Sequence, residues 1–323
     1  MDDCGVLPPA ERPKVSIVIP TRDREGSLPE CLDRLLAQSG PVFEIVVVDT
    51  SSSVATQEIL RRYPSVVNQR LGDIPYSMVL ARNWGISVAR GDIVVFIDDD
   101  CYVRPQWLGE LTKVFEYPNV IAAGGRIIYH PWKTRVREGP MASLDLDRDI
   151  VSAEWDREPD DIVDVPHLPG GNCAVRRDVA LAVGGFDTRF TGSANLEETD
   201  FFLRVSKTGG RMVFVPTAVV EHRALPRADH IARSHTNYIY RYSVVRNRLY
   251  FLRKHRAAGL ILGLRRQMVD AVVGTAGLLF SAAVFFVASV SGIIAGLLVP
   301  VVGKSTGLCT GSRGDDSPRE AGV

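Results

Sequence analysis

The sequence predicts an α/β fold, a Rossmann-like and mostly parallel sheet flanked by helices, followed by an apolar C-terminal segment. Three observations carry this. Short, wholly apolar runs alternate with stretches of helical period, the pattern of strands buried on both faces. Acids stand at the ends of those runs, at Asp49 and Asp98–Asp100, where open α/β sheets collect their ligands. Residues 271–303 contain no charged side chain.

Taken in order, Val15–Pro20 is a first strand, stopped by proline. Ser27–Gln38 is helical, because Leu28, Cys31, Leu32, Leu35 and Leu36 recur at helical spacing. Glu44–Asp49 is a second strand, Ala55–Tyr63 a helix and Met78–Ala89 another, ending at Arg90-Gly91. Ile93–Ile97 is a third strand, capped by the acidic triplet. Val120–Tyr129 and Met212–Val220 have strand character, and residues 173–183 are expected to be helical. Residues 131–165 form a long polar stretch without period, expected as an active-site flap or insertion.

Charge divides the chain further. The 323 residues carry 38 Lys+Arg and 38 Asp+Glu, but the zero net charge is a cancellation. Residues 1–229 hold 26 basic and 34 acidic side chains, a net of −8, and residues 230–269 hold nine basic and no acidic ones. The expected organisation is a tail (1–13), a catalytic α/β domain (14–229), a basic juxtamembrane segment (230–270), a transmembrane segment (271–303) and a polar tail (304–323). A span needs about 20 apolar residues, and this run has 33. Basic residues beside a span mark its cytoplasmic side and attract anionic lipid, so the domain is expected at the cytoplasmic face of a cell membrane. Nucleic acid is not an expected partner, since the domain is acidic and the basic segment contains no recognisable RNA-binding module. The five cysteines include no CxxC pair, which excludes a zinc ribbon and a disulfide framework.

Three clusters offer chemistry. Asp98 and Asp100 point to one side of an extended segment, and paired carboxylates repel unless a cation intervenes. A solvated acidic turn and a divalent metal bridging to a diphosphate both fit them. Glu197, Glu198 and Asp200 open a helix, where they either complement its dipole or supply a general base. His222, at a strand end, is a metal ligand or a structural histidine.

In combination these motifs resemble the family 2 glycosyltransferases of the GT-A fold. The resemblance rests on Ser16-Ile17-Val18-Ile19-Pro20-Thr21, Val47-Val48-Asp49, Ala81-Arg82-Asn83-x-Gly85, Asp98-Asp99-Asp100 with Pro105-x-Trp107-Leu108, Gly170-Gly171-Asn172, Gly184-Gly185-Phe186-Asp187, Glu197-Glu198-x-Asp200 and Val219-Val220-Glu221-His222. It covers roughly residues 14–225. It implies an inverting transfer from a nucleotide-diphosphate sugar to a hydroxyl of a lipid-linked or other glycan acceptor, assisted by Mg²⁺ or Mn²⁺. Nucleotide-sugar contacts fall on Pro20, Thr21, Arg22, Asp49, Arg82, Asn83, Asp98 and Asp99, and metal contacts on Asp98, Asp100 and His222. The base falls on Glu198, with Glu197 and Asp200 as alternatives because the family's usual residue at this point is Asp. Gly170, Gly171 and Asn172 shape the acceptor pocket. Val245–Phe251 also resembles the membrane-proximal helices of members that use lipid-linked acceptors.

Two rival functions are weighed. A catalytically silent membrane adaptor would keep the nucleotide fold, and Glu at 198 favours it. An aspartyl-phosphate phosphatase would place its DxD after the first strand, whereas here the motif lies near residue 100. A P-loop NTPase is disfavoured by the absence of GxxxxGK[ST].

Overall fold

A computed structural model describes residues 13–40, 42–72, 77–130, 139–223, 238–255, 263–264 and 279–301. Four parallel strands form one half of the main sheet: β1 (Val15–Thr21), β2 (Val42–Asp49), β3 (Val67–Arg70) and β4 (Ile93–Ile97), in the order β3-β2-β1-β4. The other half is mixed. It holds β5 (Cys101–Val103), β6 (Val120–His130), β10 (Asn172–Arg176) and β11 (Arg211–Arg223), so that the order runs on as β4-β10-β6-β11-β5. β10 is antiparallel to both its neighbours, and β11 is parallel to β6 but antiparallel to β5.

The apolar strands are explained by cover on both faces. Ile17, Ile19, Ile45, Val47, Ile93 and Val95 pack against α1 (Leu28–Leu36) and α4 (Trp107–Thr112). The alternate residues Val18, Val46, Val48, Val94 and Phe96 pack on the other side with α3 (Met78–Val88) and α6 (Glu197–Ser206). Ser77 caps α3 by accepting from the Leu80 amide at 3.2 Å. The helix then lies close on β1, for a Cβ on Gly85 would stand 2.2 Å from Val18 Cγ1. Shorter helices α2 (Ala55–Leu60) and α5 (Arg177–Ala182) complete the layers.

Three expectations change. Residues 173–183 are not one helix: β10 occupies Asn172–Arg176 and α5 only the remainder. A short apolar run is ambiguous in period, and here the free ladder positions between β4 and β6 decide it. The 131–165 stretch is partly regular. Residues 131–138 lie outside the described part, but β7 (Ala142–Asp145) and β8 (Ile150–Ala153) make a hairpin, and β9 (Val163–Asp164) joins β11.

The third change concerns the predicted span, of which residues 271–278 and 302–303 lie outside the described part. Helix α8 (Leu279–Leu298) packs along α7 (Tyr238–Lys254), with Gly292 and Gly296 against the backbone of Tyr242 and Arg246. The buried Arg241 donates from Nε to Ser289 Oγ at 3.0 Å across this contact. Among the described residues no helix is long and apolar enough to cross a membrane, and the predicted span is not shown. The basic segment is also redirected. Arg246 bonds the Arg189 carbonyl, Arg248 pairs with the buried Asp149 at 2.7 Å, and Lys254 pairs with Asp187 at 2.6 Å. These three side chains bond acids and a carbonyl of the α/β domain.

Gly125 on β6 tests the tightness of the sheet. A Cβ there would lie 2.2 Å from the Ala218 carbonyl and 2.4 Å from Asn172 Nδ2, beside the register shift in β11. Gly125→Ala is expected to lower stability by about 1–3 kcal/mol or more, read from urea unfolding midpoints.

Candidate active site

The site is assembled from strand ends. Thr21 ends β1, Asp49 ends β2 and Asp98–Asp100 join β4 to β5. Because β5 runs antiparallel to β11, His222 falls opposite Cys101, and its Nε2 stands 3.3 Å from Asp100 Oδ1. Ligand atoms of Asp98, Asp100, Cys101 and His222 all lie within 4.8 Å of one another. Burial, with the nearby charges of Asp98 and Asp100, pushes the Cys101 thiol well up. Asp98, Asp100 and His222 offer two carboxylates and an imidazole, a donor set that suits Mn²⁺ and, less closely, the harder Mg²⁺.

Asp99 faces away from this cluster. It accepts from Thr21 Oγ1 at 2.7 Å and lies 3.7 Å from Arg24 Nε, while Arg24 Nη2 reaches Asp100 Oδ2 at 3.1 Å. Burial, with Asp100 alongside, pushes the Asp99 carboxyl up to about 7. Asp49 is fully buried, accepting from the Ser51 amide at 2.8 Å and from Gln57 Nε2.

The opposite wall comes from the N-terminus of α6. The approach is strained, with Ala194 and Leu196 at positive φ (51° and 70°). The turn they make presents Glu197 and Glu198 to a cavity of about 230 Å³ that also exposes Asp98, His222, Gly170 and Gly171. Arg82 of α3 links these pieces. Its guanidinium bonds Glu197 Oε1 at 3.0 Å, Asp98 Oδ1 at 3.2 Å and the Gly170 carbonyl at 3.0 Å. Burial disfavours the charge on Arg82, but Asp98 and Glu197 outweigh it and hold the group more firmly protonated than usual. Burial, followed by the charge of Glu198, pushes the Glu197 carboxyl well above the usual range. Glu198 is half-buried and faces the cavity.

The structure therefore gathers Arg82, Asp98, Gly170, Gly171, Glu197, Glu198 and His222 around one cavity, with Thr21, Asp99 and Asp100 adjoining. Other expected residues are placed elsewhere. Asn172 is fully buried and bonds Trp107 and the Arg126 and Ala218 carbonyls. Asn83 clasps the backbone of Phe186 with two bonds. Pro20 is a buried strand residue, and Arg22 bonds the Thr50 carbonyl at 3.3 Å. Asp200 points behind α6, to Arg204, Lys254 and His255. Sequence reasoning missed Arg24, and it missed Met78, Tyr129, Trp155 and Tyr240 as apolar cavity lining. Of these only Arg24 had a signal, as a cation just past a strand end.

Residues 16–184 match the family described as Glycosyl transferase family 2. The chain is 28% identical over 253 residues to the O-antigen biosynthesis protein RfbC of Myxococcus xanthus, covering 68% of this chain and 18% of that protein. It is 27% identical to the glucosyl-dolichyl phosphate glucuronosyltransferase of Haloferax volcanii (65% and 69% covered). It is 30% identical to glycosyltransferase AglE of the same organism (66% and 68% covered). Among solved structures, GalNAc-T7 with UDP, GalNAc and Mn²⁺ aligns at a TM-score of 0.53 and 18% identity, covering 72% of this chain and 48% of that one. The mannosyltransferase PcManGT of Pyrobaculum calidifontis with GDP-Man and Mn²⁺ aligns at 0.52 and 17%, covering 90% and 88%. At these identities the likeness is one of fold.

Two outcomes test the site's electrostatics. Arg82→Met strands the buried Glu197 carboxyl and the partly buried Asp98 and is expected to cost about 3–5 kcal/mol in urea unfolding. Behind α6, burial alone would raise the Asp187 carboxyl, but bonds from Arg189, Lys254 and Tyr250 hold it well below the usual range. The folded state thus binds fewer protons than the unfolded one below about pH 4, and stability falls as pH is lowered through that window. Asp187→Asn is expected to flatten the acid limb of a melting-temperature profile.

Proposed function

The chain belongs to glycosyl transferase family 2, and from that premise we propose that it moves a sugar from a nucleotide-diphosphate sugar to a hydroxyl of a lipid-linked glycan, with inversion at the anomeric carbon. It is a glycosyltransferase by family and by its relatives. The observation that carries the finer reading is the division of labour among the three acids of α6: Glu197 is bound to Arg82, Asp200 to cations behind the helix, and Glu198 faces the cavity opposite Asp98 and His222.

The nucleotide lies along the ends of β1, β2 and β4, where Thr21, Asp49 and Asp98–Asp100 stand. Asp98, Asp100 and His222 would hold Mn²⁺ or Mg²⁺, which supplies positive charge against the diphosphate as it departs. Glu198 accepts the proton of the acceptor hydroxyl while its oxygen attacks the anomeric carbon from the side opposite the leaving group. A single displacement of this kind inverts the centre. Gly170 and Gly171 leave room for Arg82 and Asp98, since a Cβ on Gly171 would stand 2.7 Å from Asp98 Oδ2. Tyr129 and Trp155 give the acceptor side an aromatic surface that excludes water.

A lipid-linked acceptor has two supports. The Haloferax relative is named for action on a dolichyl phosphate-linked sugar. Val287, Val290, Ile294 and Leu298 also leave an exposed apolar stripe on α8, in the uncharged stretch 271–303. On this reading the domain works at the cytoplasmic face of a cell membrane.

Nucleotide release from UDP- and GDP-sugars with Mn²⁺ tests the proposal. Glu198→Gln is expected to lower turnover by about a hundredfold or more while nucleotide binding persists. Asp100→Ala is expected to abolish the Mn²⁺ dependence of UDP or GDP binding in calorimetry. Wild-type turnover in both variants would overturn the assignment.

A further inference from the structure

Helix α7 carries Ser243, Asn247, Tyr250 and Lys254 at steps of four, three and four residues, which places them on one face. Each of them bonds the segment 187–200, the stretch that delivers Glu197 and Glu198. The two run past each other in opposite directions. Ser243 Oγ lies 2.9 Å from Ser193 Oγ and accepts from the Ser193 amide at 3.2 Å. Asn247 Nδ2 donates to the Thr191 carbonyl at 2.9 Å. Tyr250 OH donates to Asp187 Oδ2 at 2.7 Å. Lys254 Nζ reaches both Asp187 Oδ2 and Asp200 Oδ1, each at 2.6 Å. His255 adds a contact to Asp200 Oδ1 at 2.9 Å.

None of these α7 side chains lines the cavity, although Ser193, Asn195, Glu197 and Glu198 do. Whatever they contribute to the reaction therefore passes through the segment they hold. That segment needs holding, because Ala194 and Leu196 sit in the left-handed region immediately before the acids. Two buried carboxylates, Asp187 and Asp200, are pinned by one ammonium group at the far end of the stripe.

We infer that α7 is a brace that positions Glu198: Tyr250 and Lys254 fix the ends of the 187–200 segment, and Ser243 and Asn247 hold its middle. The inference rests on the reading of Glu198 as the base. Displacing a reacting group by about 1 Å costs up to roughly a hundredfold in rate, so loosening this brace acts on turnover without touching the nucleotide end of the site.

The test uses the full chain, with UDP-glucose and GDP-mannose as probes, Mn²⁺ present and nucleotide release as the readout. Tyr250→Phe removes one hydroxyl at constant shape, Lys254→Met removes the ammonium and Lys254→Arg restores a cation. Tyr250→Phe and Lys254→Met are expected to lower kcat by about tenfold, with donor KM changed less than about twofold, and Lys254→Arg to recover much of the loss. In a Glu198→Gln background the same substitutions are expected to cost nothing further, because a positioning residue has nothing left to position. Should Lys254→Met not fold, Tyr250→Phe carries both comparisons. Equal losses with and without Glu198, a rise in donor KM instead of a fall in kcat, or unaltered kcat in the brace variants would overturn the brace alone. Wild-type turnover in Glu198→Gln would overturn the brace together with the assignment of the base.

Discussion

The guanidinium of Arg82 is the contact on which the site depends. It is buried, and it touches a strand end through Asp98, a helix start through Glu197 and a loop through the Gly170 carbonyl. Placing such a charge inside a protein is costly unless it is fully partnered, and these partners come from segments 16, 88 and 115 residues away. The neighbouring Asn83 fixes the Phe186 backbone, whose ring lies 5.4 Å from the guanidinium carbon. One short stretch of α3 thereby ties the strand-end side of the sheet to the helix that carries the carboxylates. Asp98 and Glu197 line the cavity beside Glu198, but each gives an oxygen to Arg82.

The two walls of the cavity have different mechanical origins. The wall at the strand ends is rigid because it extends a sheet whose core is packed on both faces. The carboxylate wall is the start of α6, reached through the left-handed residues Ala194 and Leu196. A cation supplied by α7, Lys254, pairs with Asp187 and Asp200 on either side of them. The basic residues that look in sequence like a collar for anionic lipid are, where described, largely partners for buried acids and carbonyls.

Much of this was legible in the sequence. The strands β1, β2 and β4 announce themselves because burial on both faces demands unbroken apolar runs. The acids of the metal-type cluster were legible because they stand at the carboxyl ends of buried strands, where open α/β sheets collect their ligands. What escaped depends on tertiary neighbours. β10 has the composition of a helix start and becomes a strand because β4 and β6 leave a ladder position open. Asn172 and Asp200 have functional residue types, yet their bonds run to Trp107 in one case and to Lys254 and His255 in the other. Residues 271–303 have the hydropathy of a span, and the structure shows a helix over Leu279–Leu298 in which the small residues Gly292 and Gly296 are positions of close helix contact, which hydropathy alone does not register.

The bonds between α7 and the 187–200 segment also bear on the order in which the molecule becomes competent. Tyr250 and Lys254 follow Asp187 by 63 and 67 residues, and at ribosomal speeds of about 5–20 residues per second the acids emerge several seconds before the cations that fix them. Once β11 has emerged, the sheet and its strand-end cluster are complete in the emerged chain, while the carboxylate wall still lacks the α7 side chains that follow it. On the proposed function, the nascent domain would complete its nucleotide end before Glu198 is held in register. A donor bound in that interval would meet a site that holds the sugar without yet being set to transfer it.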